Sequence, residues 1–164
     1  MKRDTNFPAL LTREEAARRC KVERVMSGTI VFTNGVFDIL HRGHIEYLCA
    51  ARDLGTVLIV GVNSDDSTRR LKGPKRPLMS AEDRVYALAA LRCVDHVVLF
   101  DEDTPEDLIK AITPDVLVKG GDYKPSEVAG AKHVEQNGGK VVILPFRDGC
   151  STSGLIEEIV ERFS

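Results

Sequence analysis

The chain has 164 residues, 43% of them hydrophobic, with 23 Lys and Arg against 25 Asp and Glu. This length suits one globular domain whose core is large enough to fold without disulfides or a structural metal. A net charge of −2 excludes the strongly basic footprint of a general nucleic-acid-binding protein, so we expect no nucleic-acid partner. Because no apolar run reaches the roughly 18 residues that span a bilayer, we also expect no membrane partner.

The first ten residues, MKRDTNFPAL, lack the apolar stretch of a secretory signal, which predicts a cytoplasmic protein. The four cysteines are scattered and form no CxxC pair. This spacing indicates reduced thiols in or near the core rather than a disulfide framework or a zinc knuckle.

Short β-branched runs alternate with segments of helical period, which predicts an α/β fold. At the start, Thr12 and Glu15 form a capping box, so we expect a helix from Arg13 to about Met26. We interpret residues 1–28 as an N-terminal helical extension and residues 29–164 as the main domain. The extension is either a linker remnant or a dimer element, which keeps a homodimer among the expectations.

Five apolar runs predict a Rossmann-like, doubly wound parallel sheet of five strands with helices on both faces. The predicted strands are Thr29–Thr33, Val57–Val62, His96–Phe100, Val116–Lys119 and Val141–Pro145.

Helix signals lie between and after these runs. Ser80 and Asp83 form a cap-like pair, and Thr104 followed by Pro105 is typical of an N-cap and a proline in the first helical turn. At the end of the chain, Ile156, Ile159, Val160 and Phe163 stand at i, i+3, i+4 and i+7. We expect this stripe to pack a last helix onto the sheet.

Residues 69–76 contain five cations: Arg69, Arg70, Lys72, Lys75 and Arg76. We expect a loop here, after the second strand. Ligands of open α/β sheets lie beyond the carboxyl ends of the strands, so this segment is suited to binding phosphates. The alternative is a charge run that is merely solvated.

Residues 33–44, TNGVFDILHRGH, follow the first predicted strand and open a helix. Gly35 and Gly43 allow a close backbone approach, and the helix start near Gly43 offers free N–H groups to an anion. His41 and His44 can both aim ring N–H groups at that anion. The pattern therefore predicts a phosphate site.

Two other interpretations of the histidines stay open: a zinc site, for which no third ligand stands nearby in the sequence, and satisfied core histidines. A nicotinamide-binding GxGxxG triplet and the GK[ST] of a P-loop are both absent from the sequence.

His41-Arg42-Gly43-His44 resembles the HxGH signature of the nucleotidylyltransferase superfamily, and residues 149–153, GCSTS, resemble its second motif. TNGVFDILHRGH, VNSD at 62–65 with RLKG at 70–73, LVKGGDYKP at 117–125 and DGCST at 148–152 are most similar to the bacterial heptose 1-phosphate adenylyltransferase branch. The resemblance covers about residues 29–164 and implies the free-standing form, without a sugar-kinase half.

The resemblance implies direct nucleotidyl transfer: a sugar 1-phosphate oxygen attacks the α-phosphorus of ATP, and pyrophosphate leaves. It implies Mg²⁺ bound with ATP rather than by a protein cage, and His41, His44 and Lys72 as catalytic residues. The nucleotide-binding residues that it implies are Thr33, Asn34, Gly35, Phe37, His41, Gly43, His44, Lys119, Gly120, Asp122, Ser151, Thr152 and Ser153.

The acceptor-binding residues expected on the same basis are Asp38, Lys72, Arg84 and Arg92, with both arginines placed on the helix before the third strand. Asp38 is suited to sugar hydroxyls or to orienting a histidine, or else serves an Asx turn. Lys119 either reaches phosphate or is a snorkelling strand-end lysine. The alternative functions are a cytidylyltransferase for a polyol phosphate, such as glycerol 3-phosphate, and a non-catalytic nucleotide-binding module.

Overall fold

The computed structural model describes residues 10–145, 149 and 151–164, and its centre is a parallel sheet. The strands are β1 (Leu10–Leu11), β2 (Ile30–Gly35), β3 (Val57–Asn63), β4 (His96–Phe100), β5 (Val116–Gly120) and β6 (Lys140–Leu144). They pair in the order β1-β4-β3-β2-β5-β6, and every pairing is parallel. The predicted α/β class is confirmed.

The strand count is corrected: the described residues form six strands where the sequence predicted five. The additional strand, Leu10–Leu11, pairs Leu10 with Val97 and Leu11 with Val98 of β4. Two residues carry no alternation and no β-branched run, so a sequence pattern cannot reveal this strand.

Helices cover both faces of the sheet. They are α1 (Arg13–Val25), α2 (Arg42–Arg52), α3 (Asp65–Lys72), α4 (Ala81–Ala89), α5 (Glu106–Ile112), α6 (Ala131–Gln136) and α7 (Thr152–Phe163), with a 3₁₀ turn at Pro125–Glu127. Buried residues of α1, α5 and α6 form one core cluster with the sheet, and those of α2 and α4 form the other. This is the two-sided packing of a doubly wound sheet. In the part of the chain described, no helix is both long and apolar enough to span a membrane.

The N-terminal helix follows its sequence signals. Thr12 Oγ1 accepts from Glu15 N at 3.2 Å, and Glu15 Oε2 accepts from Thr12 N at 2.7 Å, which completes the predicted capping box. Ala16 and Cys20 are fully buried in the same core as the sheet. The proposed boundary between the extension and the main domain, at residues 28 and 29, stays a prediction. Helix α1 shares one core with residues beyond that boundary.

Two helix starts differ in outcome. Ser80 Oγ accepts from Asp83 N at 3.1 Å and caps α4 as predicted. The predicted Thr104 cap of α5 is wrong: Pro105 occupies the cap position, makes no side-chain cap bond, and its carbonyl accepts from Ile109 N at 2.8 Å. Helix α5 therefore begins at Glu106, one residue later than predicted, and Pro105 precedes the first helical position instead of occupying it.

The first part of the basic segment is helical, which corrects the predicted loop. Ser64 caps α3 by accepting from Ser67 N at 3.0 Å, and Asp65 and Asp66 lie in its first turn. Arg69, Arg70 and Lys72 lie in its last turn. This charge order complements the helix dipole, but it leaves almost no apolar stripe for a periodicity test to detect.

The expected packing of the last helix is also wrong. Ile159, Val160 and Phe163 of α7 are 46%, 57% and 86% exposed. An apolar period predicts that a helix forms and which of its residues share a face, but it does not say what covers that face.

Candidate active site

The predicted ligand edge lies where β2, β3 and β5 end. From β2 the chain winds outward through β3 to β4, and then crosses to β5 and β6 on the other side of β2. The carboxyl ends of β2 and β5 therefore flank a topological switch point, the usual ligand position in open α/β sheets. Asn34 and Gly35 end β2, and Lys119 and Gly120 end β5.

The two histidines stand together at the start of α2. His41 occupies the N-cap position in an extended conformation, and Gly43, which is buried, lies in the first turn. The rings of His41 and His44 stack with centroids 3.8 Å apart and planes inclined by 23°.

Burial keeps this pair uncharged. Desolvation lowers the pKa of His41, and it lowers the pKa of His44 to about 4, with the neighbouring His41 contributing. Nδ1 of each ring is buried without a hydrogen-bond partner among the described residues. A buried polar atom without a partner costs free energy, so two at one helix start indicate a site that a ligand completes.

The zinc interpretation gains no support from this geometry. Within residues 10–145, 149 and 151–164, no group of three or more His, Cys, Asp or Glu side chains is arranged to hold a metal ion.

Strand β2 and helix α2 are joined by a buried side-chain pair. Thr33 Oγ1 lies 2.6 Å from the Tyr47 hydroxyl, and burial raises the pKa of Tyr47 to about 12, so the phenol keeps its proton. Thr33, predicted to bind nucleotide, thus holds α2 against β2. Sequence reasoning missed Tyr47, although its place three residues after His44 puts it on the same helix face.

Phe37 and Gly35 shape the turn before the histidines. Phe37 has a positive φ of 52° and its ring meets the edge of His44 with centroids 5.4 Å apart. A Cβ at Gly35 would lie 3.1 Å from the Phe37 ring, so a larger residue here would require the ring to shift. Phe37 is 6% exposed, which supports a role in placing His44 rather than direct contact with a nucleotide.

Two lysines, Lys119 of β5 and Lys72 at the end of α3, lie near each other. Lys119 Nζ donates to Asn34 Oδ1 at 3.4 Å, and burial together with the nearby Lys72 lowers the pKa of Lys119. Lys72 is exposed at the end of α3. Neither lysine has an acidic partner among the described ion pairs, so the two positive charges are suited to an anion between them.

The remaining cations of the basic segment have different partners. The three arginines are bound to carboxylates: Arg69 to Asp66 at 2.6 Å, Arg70 to Asp103 at 2.7 Å, and Arg76 to Asp38 at 2.6 Å. Lys72 and Lys75 have no such partner in the described structure. The segment is thus partly structural and partly free to bind phosphate.

Asp38 holds the chain that follows α3. Its carboxylate is 1% exposed and accepts from Arg76 Nε, from Leu78 N at 2.8 and 2.9 Å, and from Met79 N at 2.8 Å. Burial alone would raise the pKa of Asp38, but the hydrogen bonds from Met79, Leu78 and Arg76 outweigh it and lower the pKa. In this geometry the carboxylate positions residues 76–79, and contact with a sugar hydroxyl stays a prediction.

Arg84 is fully buried, and its guanidinium donates to Val36 O at 2.6 Å, Asn63 O at 2.9 Å, Asp65 Oδ1 at 2.8 Å and Met79 O at 3.2 Å. These bonds use four of the five guanidinium N–H groups and give Arg84 a structural role, and the expected contact with an acceptor phosphate stays a prediction. Arg92 is not on α4, which ends at Ala89; it lies in the turn before β4, at the amino ends of the strands. That position is the opposite edge of the sheet.

The remaining predicted nucleotide-binding residues lie at the end of β5 or follow β5 and β6 in the chain. Gly120 is buried at the end of β5, and Asp122 is exposed just beyond it. Ser151 caps α7 by accepting from Gly154 N at 3.0 Å, and Thr152 and Ser153 begin that helix. Cys150, in the same predicted motif, and residues 146–148 lie outside the described residues.

The stacked histidine pair at the start of α2 belongs to the segment whose sequence resembles the HxGH signature of nucleotidylyltransferases. In agreement with it, the family model described as cytidylyltransferase-like matches residues 32–158. The chain belongs to the cytidylyltransferase-like family. The resemblance to the nucleotidylyltransferase family that the motifs indicate is confirmed.

Curated relatives carry the name bifunctional protein HldE. The one from Escherichia coli O1:K1 / APEC is 55% identical over 156 residues, 95% of this chain and 32% of the relative. The one from Trichlorobacter lovleyi is 53% identical over 152 residues, 93% of this chain and 31% of the relative. This chain therefore spans about a third of the length of these relatives.

A solved structure has the same fold. It is described as the crystal structure of the lipopolysaccharide core biosynthesis protein from Thermoplasma volcanium GSS1, and it is 31% identical, with a TM-score of 0.60. The similarity covers 73% of this chain and 97% of that one. The Rossmann-like architecture predicted from the sequence is confirmed.

Proposed function

We propose that the chain transfers AMP from ATP to a sugar 1-phosphate, D-glycero-β-D-manno-heptose 1-phosphate, giving ADP-heptose and pyrophosphate. The product would serve lipopolysaccharide or another heptose-containing glycan. The observation that carries this proposal is the uncharged His41–His44 stack at the start of α2, which follows β2, with Lys119 near the end of the neighbouring β5 and Lys72 close to Lys119. The motifs of the heptose branch and the names of the relatives support the choice of sugar.

In this mechanism the acceptor phosphate attacks the α-phosphorus of ATP directly, and no covalent intermediate forms on the protein. Two polyanions must be brought together, so catalysis consists of positioning and of stabilising charge on the five-coordinate phosphorus. His41 and His44 donate to the triphosphate through their ring N–H groups. Lys119, near the end of β5, and the nearby Lys72 neutralise negative charge on the phosphates.

The histidines are suited to this work because they are uncharged before ATP binds. The negative charge of a bound triphosphate stabilises the imidazolium form and raises the pKa of both rings. Positive charge therefore develops where the pyrophosphate leaves. Ser151, Thr152 and Ser153 stand at the start of α7, whose N–H groups are expected to receive the β- and γ-phosphates.

Mg²⁺ fits this site as a companion of ATP. Asp38, the carboxylate inside the histidine motif, has both oxygens bound by Arg76 and by backbone N–H groups, so it is not a free metal ligand. The ion would be held by the phosphate oxygens, and it would supply further neutralisation of their charge.

Exposed apolar residues at the end of α1 support a homodimer as a further part of the proposal. Val25 and Met26 are 86% and 74% exposed. Light scattering on the purified chain tests this, with a monomer mass contradicting it. We place the reaction in the cytoplasm, where ATP is available.

The test is release of pyrophosphate, measured with ATP or CTP and with heptose 1-phosphate or glycerol 3-phosphate. ATP with heptose 1-phosphate should give the highest kcat/KM, because an acceptor without the sugar hydroxyls leaves polar groups of the pocket unpaired. The description of the matching family favours one second candidate, a cytidylyltransferase for a polyol phosphate. Preference for CTP and glycerol 3-phosphate would select that candidate, and no release with any pair would indicate a non-catalytic nucleotide-binding module.

A further inference from the structure

A depression of about 510 Å³ lies between α2 and the turn that joins α4 to β4. Its lining includes Ile45 and Cys49 of α2, and Leu91, Arg92 and Cys93 of the turn. No residue that the proposed reaction uses lines it. Two of the four cysteines of the chain therefore face one shared surface, although 44 positions separate them in the sequence.

The two thiols are neighbours on this surface: both residues line the depression, and Cys49 is among the groups that act on the pKa of the Cys93 thiol. Cys49 is exposed and Cys93 is partly buried, while Cys20 is fully buried in the core on the other face of the sheet. Cys49 and Cys93 thus form a pair that a small reagent can reach from solvent.

An ion pair holds the same two segments together. Arg52, on the last turn of α2, places Nε 2.7 Å from Asp95 Oδ2, and the same carboxylate oxygen accepts from Leu58 N at 2.8 Å. Arg52 and Asp95 lie two or three positions beyond the cysteines along their segments. The thiol pair is therefore anchored by an independent contact between the segments.

We propose that Cys49 and Cys93 are a thiol modification site that closes into an intrachain disulfide on reaction with a low-molecular-weight disulfide. The thiolate of Cys49 attacks one sulfur of the reagent, forms a mixed disulfide and releases one reagent thiolate. Cys93 then loses its proton and attacks the Cys49 sulfur, which releases the second reagent thiolate. The protein is oxidised by two electrons, and one reagent disulfide is reduced to two thiols.

The order of attack follows from the surroundings of the two sulfurs. Burial raises the pKa of Cys93 to about 11, and the neighbouring Cys49 adds to the shift. Little Cys93 thiolate is therefore present at neutral pH, and a partly buried sulfur is also harder for a reagent to reach. Cys49 is consequently the entry point, and Cys93 resolves the mixed disulfide from close range.

The experiment treats the whole chain with oxidised glutathione and follows it by intact mass and peptide mapping. The wild type should lose the thiols of Cys49 and Cys93, retain no glutathione on either residue, and give a cross-linked peptide that joins the two. Cys93→Ala should instead keep one glutathione on residue 49. Cys49→Ala should react at least about tenfold more slowly at Cys93, because the accessible thiol is gone.

Three results would overturn the proposal: a wild type that retains glutathione on Cys49 as Cys93→Ala does, a cross-link that joins either residue to Cys20 or Cys150, and a wild type that loses no thiols. The peptide map of the wild type decides the pairing without any variant, so a variant that fails to fold does not protect the proposal. Cys20→Ala is the matched control and should form the same cross-link at the same rate.

Discussion

Two groups of polar side chains lie near the same edge of the sheet, and they differ in how fully they are paired. Asp38 and Arg84 are as buried as the core, and each makes four hydrogen bonds within the protein. His41 and His44 each leave a buried Nδ1 without a partner, and Lys119 faces Lys72 rather than an acid. The paired group is suited to holding loops in place, and the unpaired group to receiving a ligand.

The largest effect is expected from breaking the paired group. Arg84→Ala leaves Asp65 and three backbone carbonyls without their donor, and loss of one partner of a buried charged network costs about 3 kcal/mol or more. Urea unfolding measures this loss of stability. The matched control is Arg92→Ala, an exposed arginine at the opposite edge, which should change the unfolding free energy by less than about 0.5 kcal/mol. Equal stability of the two variants would contradict the assignment of Arg84.

The unpaired group should show the opposite behaviour. His44→Ala removes a ring N–H donor that serves the transition state, so kcat should fall by about 10², equivalent to about 2.7 kcal/mol. The unfolding free energy should fall far less than in Arg84→Ala, because the ring makes few contacts that the protein needs. A variant with near-normal turnover would remove His44 from catalysis, and one that loses as much stability as Arg84→Ala would make it a core histidine.

The pH dependence of stability sharpens the same contrast. The pKa of His44 is about 4 in the folded chain against 6.5 for an ordinary histidine, so the unfolded chain binds more protons between these values. The uncharged His44 ring therefore contributes to stability above pH 6.5, and this contribution is lost as the pH falls towards 4. Unfolding free energy should therefore rise with pH across this window, and it should rise clearly less in His44→Ala. Identical slopes in the two proteins would contradict the buried, uncharged state.

The smallest predicted effect separates two lysines. Lys119→Met should lower kcat/KM by about tenfold, since one of two cations that face the triphosphate is lost. Lys75→Met is the control, because Lys75 is exposed and belongs to the same basic segment as Lys72. It should lower kcat/KM by less than about twofold. If both substitutions lower kcat/KM by the same factor, the effect reflects the overall positive charge of the region, and Lys119 does not mark a specific anion position.

The sequence predicted the strands and the histidine pair because these depend on local signals. The apolar runs of β2 to β6 and the glycines of residues 33–44 are visible without tertiary knowledge. Arg84 lies on the predicted helix, but its bonding could not be predicted, because a sequence shows the charge of an arginine and not its partners. The exposed stripe of α7 and the short strand β1 likewise depend on contacts between distant parts of the chain, which no local period contains.

The central claim is that the unpartnered histidine pair receives the phosphates of the nucleotide. The most direct measurement is an NMR titration of the two imidazole rings, without ligand and then with a non-hydrolysable ATP analogue and Mg²⁺. Without ligand, the pKa of His44 should lie near 4. The bound triphosphate should raise the pKa of both rings by at least about one unit, because a nearby negative charge favours the imidazolium. Unchanged pKa values with the nucleotide bound would contradict the claim.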